Sequence, residues 1–319
     1  MTTTASWPTH SGQPPANDWI PTIRSPLSTA CLAFALSTSP LSAQQEPEFA
    51  GKKTTVVVFP RGSYYPPHIA GPHQRGNAVT INWIARSTAP EAGDRAFGLK
   101  LGGRFGLVRL QPTDRPDLGV QLSIDAGWFG QFDIDQNWDN LGWDGFFGLV
   151  FSSSLGSKAA LEVGALHTSG HLGDEFIASA GRERLGYTRT ELMAGLDWAV
   201  AGNWRTYGQI AYGYGADNPE LQDPWRLEAG LEYEANNSIW GSRFGWYAAA
   251  DMSVYEERDW HPDVSVAVGF NAWTGVRRWR LGLEYYDGRL PLGELFFEDQ
   301  RQISLGLYMD LNARRAPGP

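Results

Sequence analysis

About a dozen segments of this chain alternate apolar and polar side chains one residue at a time, most of them for ten or more positions. A period of two is the signature of a β-strand, whose successive Cβ atoms point to opposite faces. The expected strand cores are 77–86, 95–110, 119–134, 144–154, 158–169, 186–199, 203–215, 225–235, 243–255, 262–273, 278–287 and 301–311. In 119–134, Val120, Leu122, Ile124, Ala126, Trp128, Phe132 and Ile134 share one face, and Gln121, Ser123, Asp125, Gln131 and Asp133 share the other. In 225–234, Trp225, Leu227, Ala229, Leu231 and Tyr233 oppose Arg226, Glu228, Gly230, Glu232 and Glu234. Soluble sandwiches alternate too. Their strands average about five or six residues, however, whereas a strand tilted across hydrocarbon needs about nine to eleven. No run of 18 apolar residues occurs, so a membrane-crossing helix is excluded. A barrel hides its apolar surface in alternate residues, which accommodates the mean hydropathy of -0.33.

The connections point the same way. Gly156-Ser157, Ala201-Gly202 and Thr274-Gly275-Val276 are tight, while 170–185, 216–224 and 288–300 are long. Outer-membrane barrels have short periplasmic turns and longer external loops. Trp198 with Trp204, Trp240 with Trp246, and Trp273 with Trp279 bracket three turns, where an interfacial aromatic girdle falls. Lipid offers no water to an open sheet edge, so the strands must close. The expected fold is all-β: a transmembrane antiparallel up-and-down barrel of about twelve strands. Ser304–Leu311 resembles the terminal-strand signal read by the barrel assembly machinery, although Asn312–Pro319 trail beyond it and the usual final aromatic is missing.

Four segments divide the chain. Residues 1–43 read as an N-terminal extension and export signal: Arg24 precedes the apolar stretch Leu27–Leu36, and small residues lead to cleavage after Ala43. Cys31, the single cysteine, lies inside that stretch, so the mature chain is expected to have no disulfide. Residues 44–76 form a proline-rich lead-in in which only Thr54–Phe59 suits a strand; the rest lies in the periplasm or tucks into the barrel mouth. Residues 77–311 form the barrel and 312–319 a tail. Net charge is -9, so a general affinity for nucleic acid or for anionic lipid is not supported. The interior face is polar and mixed in sign: Arg104, Asp125, Glu162, Arg189, Glu191, Asp197, Arg205, Glu228, Glu232, Asp251, Arg280 and Glu284. Such residues suit a salt-bridged lumen better than a pore.

Counting strands from a periplasmic start puts three polar clusters on the external rim. They are His167–Glu175, Glu256–Asp263 (EERDWHPD) and Glu284–Glu294 (EYYDGRLPLGE). Over about residues 59–311 the chain resembles a bacterial outer-membrane β-barrel family catalogued as domain of unknown function 1207. The likeness rests on HTSGHLGDEF (167–176), EERDWHPDVS (256–265), EYYDG with Pro291 and Gly293, and Gly127, Phe129, Gln131, Phe132 and Asp133. The resemblance implies an outer-membrane location and no defined activity. His261 replaces a commoner arginine and Leu290 a commoner small polar residue.

Three readings of the rim follow. In the first, His167 and Ser169, two apart on one strand face, form a serine–histidine pair oriented by Glu175 or Glu183. The His-x-Ser pair is similar to that of outer-membrane phospholipases and lipid A deacylases, with Gly170 where they have asparagine, and it continues the lipid-facing parity of Leu161, Val163 and Ala165. In the second, Asp174, Glu175, Glu257, Asp259, Asp263 and Asp287 supply oxygen donors suited to calcium, or to cations bridging lipopolysaccharide phosphates. His171 is the residue that would admit zinc. In the third, Arg182, Arg184 and Arg258 lock the loops against neighbouring acids, and Trp260, Tyr285 and Tyr286 are interface aromatics. Gly173 belongs to the same rim motif. A small-solute channel is the remaining alternative, and outer-membrane lipids and lipopolysaccharide are the expected partners.

Overall fold

The structure, a computed structural model, describes residues 48, 49, 51–89, 92–240 and 244–313; at 48, 49 and 236–238 it describes the backbone alone. The expected export signal with its expected cleavage near Ala43, Cys31 and tail residues 314–319 lie outside the described residues. Two N-terminal strands, β1 (Glu48–Phe49) and β2 (Lys52–Val58), precede β3 (Asn77–Ser87), β4 (Arg95–Pro112), β5 (Gly119–Asp133) and β6 (Asp139–Ser154). There follow β7 (Ala159–Leu172), a helix α1 (Asp174–Ala180), β8 (Thr188–Ala201), β9 (Trp204–Gly215) and β10 (Trp225–Ile239). The chain ends with β11 (Phe244–Tyr255), β12 (Pro262–Thr274), β13 (Arg277–Arg289) and β14 (Asp299–Asp310).

Strands β3 to β14 pair antiparallel with their sequence neighbours, and β14 pairs with β3, so the sheet closes on itself. All twelve expected strands are present. Several run further than expected, β6 and β7 among them. β6 begins at Asp139 because Asp139 and Asn140 pair with Asp133 and Phe132. β7 continues past Gly170 to Leu172, which pairs with Gly142, so the external connection starts at Gly173. That connection is not loop alone. Phe176, Ile177 and Ala180 form an apolar stripe at helical spacing, and α1 lays it on Leu141, Leu172, Leu290, Leu292 and Leu295. Acids Asp174 and Glu175 in its first turn suit the helix dipole, and Gly181 ends it in the left-handed conformation at φ 65°.

The parity read from the sequence holds. Val120 and Ile124 of β5 are exposed on the outer wall, while Gln121, Ser123 and Asp125 are buried inside. Trp198, Trp204, Trp240, Trp246 and Trp279 are exposed at the short-turn end. Burial of these outer residues in hydrocarbon, not in a protein core, is what holds such a wall in place.

The lead-in after β2 enters the barrel. β2 pairs with the lower half of β4, from Thr54 opposite Pro112 to Val58 opposite Val108. Residues 63–76 then run through the lumen, where Ile69 and Ala70 pack on Tyr247, Ala249 and Ala267. Prolines deny this segment a ladder of its own, so inward charged side chains satisfy its backbone. Arg205 and Arg278 donate to the Pro67 carbonyl at 3.2 and 3.1 Å, and Arg280 donates to that of Ile69 at 3.0 Å. Glu232 accepts from Ile69 N–H at 2.6 Å and Glu284 from Gly71 N–H at 3.0 Å. Gln74 donates to Glu228 at 2.8 Å, and Arg75 pairs with Asp125 at 2.9 Å.

Candidate functional site

On β7 the side chains of His167, Ser169 and His171 project from the outer wall, above the apolar Leu161, Val163 and Ala165 of the same face. Ser169 sits equally two residues from each histidine, and the structure pairs it with His171: Oγ lies 3.4 Å from Nε2. His167 turns away because Thr190 stands opposite it in register on β8, and its Nδ1 lies 2.8 Å from Thr190 Oγ1. Phe147 flanks His167 at 5.1 Å between ring centroids, and Trp143 flanks His171 at 4.4 Å. Arg184 donates to Nδ1 of His171. Arginine has no acceptor atom, so in neutral His171 the proton sits on Nε2 and is donated to the Ser169 oxygen. This tautomer holds the serine but does not take its proton. Glu175 is exposed on α1, and Glu183 is exposed in the segment after it.

The six acids read as a calcium set do not converge. Among the described residues no group of three or more His, Cys, Asp or Glu side chains is arranged to hold a metal ion. Their strand parity explains this. Asp263 is buried inside the wall, where Oδ1 accepts from Arg289 N–H at 2.8 Å. Asp287 projects outward against Arg301, 2.9 Å from Nε. Glu257 lies in a short 3-10 turn over the barrel mouth, 3.5 Å from Arg189, and burial raises its carboxyl pKa. Asp174 and Asp259 are exposed, and Asp259 and Trp260 both take the left-handed conformation in the β11–β12 turn.

The rim's hub is instead the segment 290–298 that caps the mouth. Glu294, part of a motif noted in the sequence but not singled out, accepts from the backbone N–H groups of Leu185, Gly186 and Tyr187 at 2.7, 3.0 and 3.4 Å. Asp144 accepts from Gly293 N–H at 2.9 Å. Arg258 donates to the Phe296 carbonyl at 3.0 Å and pairs with Asp299, while Arg182 pairs with Glu298 at 2.9 Å. Tyr286, buried below, donates to the Arg289 carbonyl at 2.5 Å, and Leu290 is buried in the cap cluster. At Gly173 any side chain would strike the Asn140 carbonyl, 1.7 Å from an ideal Cβ position. Of the arginines read as rim locks, Arg182 and Arg258 do bind loop to loop while Arg184 engages His171 of β7, and the three motifs meet through this segment.

A closed twelve-strand wall with apolar residues outside, charged residues inside and tryptophans at the turn end is an outer-membrane β-barrel. The chain belongs to the family described as protein of unknown function (DUF1207), whose model matches residues 35–310. Among solved structures it is similar to outer membrane phospholipase A from Escherichia coli, at 12% identity over 74% of this chain and 93% of that one, with a TM-score of 0.51. It is likewise similar to the Salmonella typhi outer membrane phospholipase dimer with bound calcium, at 13% identity over 76% and 95% and a TM-score of 0.52. Likeness at these identities concerns the fold. A search of curated proteins finds no sequence match.

Proposed function

We propose that this protein binds lipid of the outer leaflet, lipopolysaccharide included, through the outer face of its wall, and does not conduct solutes. One observation supports this reading: the polar row His167, Ser169 and His171 projects from the outer wall between Phe147 and Trp143, at the height where the apolar face ends. Many charges inside the barrel, such as Asp125, Glu162, Glu232, Arg280 and Asp310, are by contrast engaged with each other and with residues 63–76, which argues against an open pathway. An imidazole braced by Arg184 and backed by tryptophan suits a lipid headgroup held from one side. Export by the N-terminal signal with cleavage near Ala43, and insertion by the barrel assembly machinery, belong to the same reading. Titration of the refolded chain with lipopolysaccharide tests it. The paired variant His171→Ala, Arg184→Ala should weaken binding about tenfold or more; equal affinity in both proteins defeats the assignment to this row.

A second reading, acyl hydrolysis, is favoured by the 3.4 Å approach of Ser169 Oγ to His171 Nε2 and by the name of the phospholipases that share the fold. It requires Arg184 to leave Nδ1, so that His171 can accept the serine proton at Nε2. Release of fatty acid from phospholipid or lipopolysaccharide, abolished in Ser169→Ala, is its test. Turnover unchanged in that variant removes it.

A further inference from the structure

Three adjacent strands change character at one height on a different part of the wall. On β13 the outward residues Leu281, Leu283 and Tyr285 give way to Asp287; on β14 Leu307, Leu305 and Ile303 give way to Arg301; on β3 Val79 and Trp83 give way to Arg86. Register sets them in rows. Tyr285, Ile303 and Trp83 lie side by side, and Asp287, Arg301 and Arg86 lie side by side above them. From Trp279 at the turn end to Asp287 the strand runs about 26 Å, or about 20 Å along the barrel axis at a tilt near 40°. An outer-membrane barrel's apolar band is about 25 Å tall, so the upper row stands near the top of that band, toward the polar boundary of the outer leaflet.

Two arginines share one carboxylate there. Arg301 is 2.9 Å from Asp287 Oδ2 through Nε and approaches it through Nη2 as well. Arg86 reaches only to 3.6 Å, through one nitrogen, and makes no hydrogen bond among the described residues. Their side chains are 54% and 43% exposed, for Arg86 and Arg301 respectively. A third arginine, Arg95, stands opposite Trp83 on β4 and pairs with Asp135. Each guanidinium carries five fixed N–H donors, more than one aspartate can occupy. From this we infer that Arg86 and Arg301 form a clamp for a phosphate group of an outer-leaflet lipid, with Trp83 and Tyr285 beneath it.

The ligand class follows from the donors. Planar guanidinium forks fit the tetrahedral oxygens of phosphate bidentately and repel a metal cation, so Asp287 serves as the brace that sets the two forks side by side. Indole and phenol rings favour the level where acyl chains meet headgroups, which is where Trp83 and Tyr285 stand. The inference rests on the outer leaflet as the partner, but it assigns a site distinct from the β7 row.

The experiment titrates the refolded full chain in neutral detergent with bisphosphorylated lipid A and with the same lipid stripped of its phosphates, chelator being present throughout. Wild type should prefer the phosphorylated form by about tenfold or more, and Arg86→Gln with Arg301→Gln should abolish that preference while retaining the heat-modifiable shift of a folded barrel. Equal binding of both lipids by wild type overturns the clamp and leaves the lipid reading standing; binding of neither overturns both. Preference persisting in the double variant also overturns the clamp, as does a change of oligomeric state in that variant, which would make this face a contact between copies.

Discussion

Glu232→Ala tests most sharply whether residues 63–76 are held in the lumen by its charges. Glu232 is buried, accepts from Ile69 N–H at 2.6 Å and pairs with Arg205, whose Nε lies 3.0 Å away. Removing one partner of a buried pair costs about 3 to 5 kcal/mol when the other is left alone. Here Arg205 keeps Asp197 at 3.4 Å and the Pro67 carbonyl, which lowers that figure. The orphaned Ile69 N–H adds about 1 to 3 kcal/mol. A net loss of about 3 kcal/mol from the latch raises the population of released segment roughly a hundredfold. The wall itself, closed by strand pairing, should survive. Amide exchange over residues 63–76 is the assay, with planar-bilayer recording beside it. The variant should exchange at least tenfold faster at Ile69 and Gly71 and show brief openings where wild type is silent. Unchanged protection in a folded variant would refute the latch.

Other outcomes follow from the rim. Gly173→Ala drives a methyl into the Asn140 carbonyl, so the β6–β7 end must shift; overpacking of this kind costs about 1 to 3 kcal/mol, and the heat-modifiable gel shift should occur at lower temperature. A shift at the wild-type temperature would show that the end is free to move. Glu257 has its carboxyl pKa raised by burial above the ordinary 4.5. A raised acid binds its proton better folded than unfolded, so its contribution is most favourable below about pH 4.5 and is lost as pH rises through the folded value. Glu257→Gln should therefore stabilise the cap at neutral pH relative to acid, read from amide exchange of residues 256–263 at pH 4 and pH 7; equal effects at both would contradict the sign. Refolded wild type should also bind calcium no better than a barrel stripped of Asp174, Glu175 and Asp259, since the acids stand apart. Tight stoichiometric binding lost in that variant would overturn this.

The wall was legible because lipid demands an apolar residue at every second position, and β5 or β10 state that demand without interruption. Strand ends were less so. Asp139-Asn140-Leu141-Gly142 has the composition of a turn, yet it pairs with β5 and β7. Gly170 looks like a break, but the space beside it is taken by Asp144 and Gly293, and the strand continues. For residues 63–76 the prolines rightly excluded a strand and left the location open between periplasm and mouth. The deciding clue was distributed: twelve inward charges need partners, and a backbone without a ladder supplies carbonyls and N–H groups. Read from the sequence, Ser169 pairs with His167, although His167 and His171 are symmetric about Ser169 and the spacing does not choose between them. Thr190, a residue of the next strand, breaks the tie by engaging His167. The acids of the calcium reading stand apart for a reason that parity alone contains, since Asp263 and Asp287 point to opposite sides of the wall.

The most direct measurement of the account is native mass spectrometry of the full chain extracted from membranes in mild detergent, with conductance recorded on the same preparation. It should retain phosphorylated outer-leaflet lipid, lose it when Arg86, Arg301, His171 and Arg184 are substituted together, and pass no steady current. A barrel that emerges free of lipid and conducts solute through its lumen would contradict it.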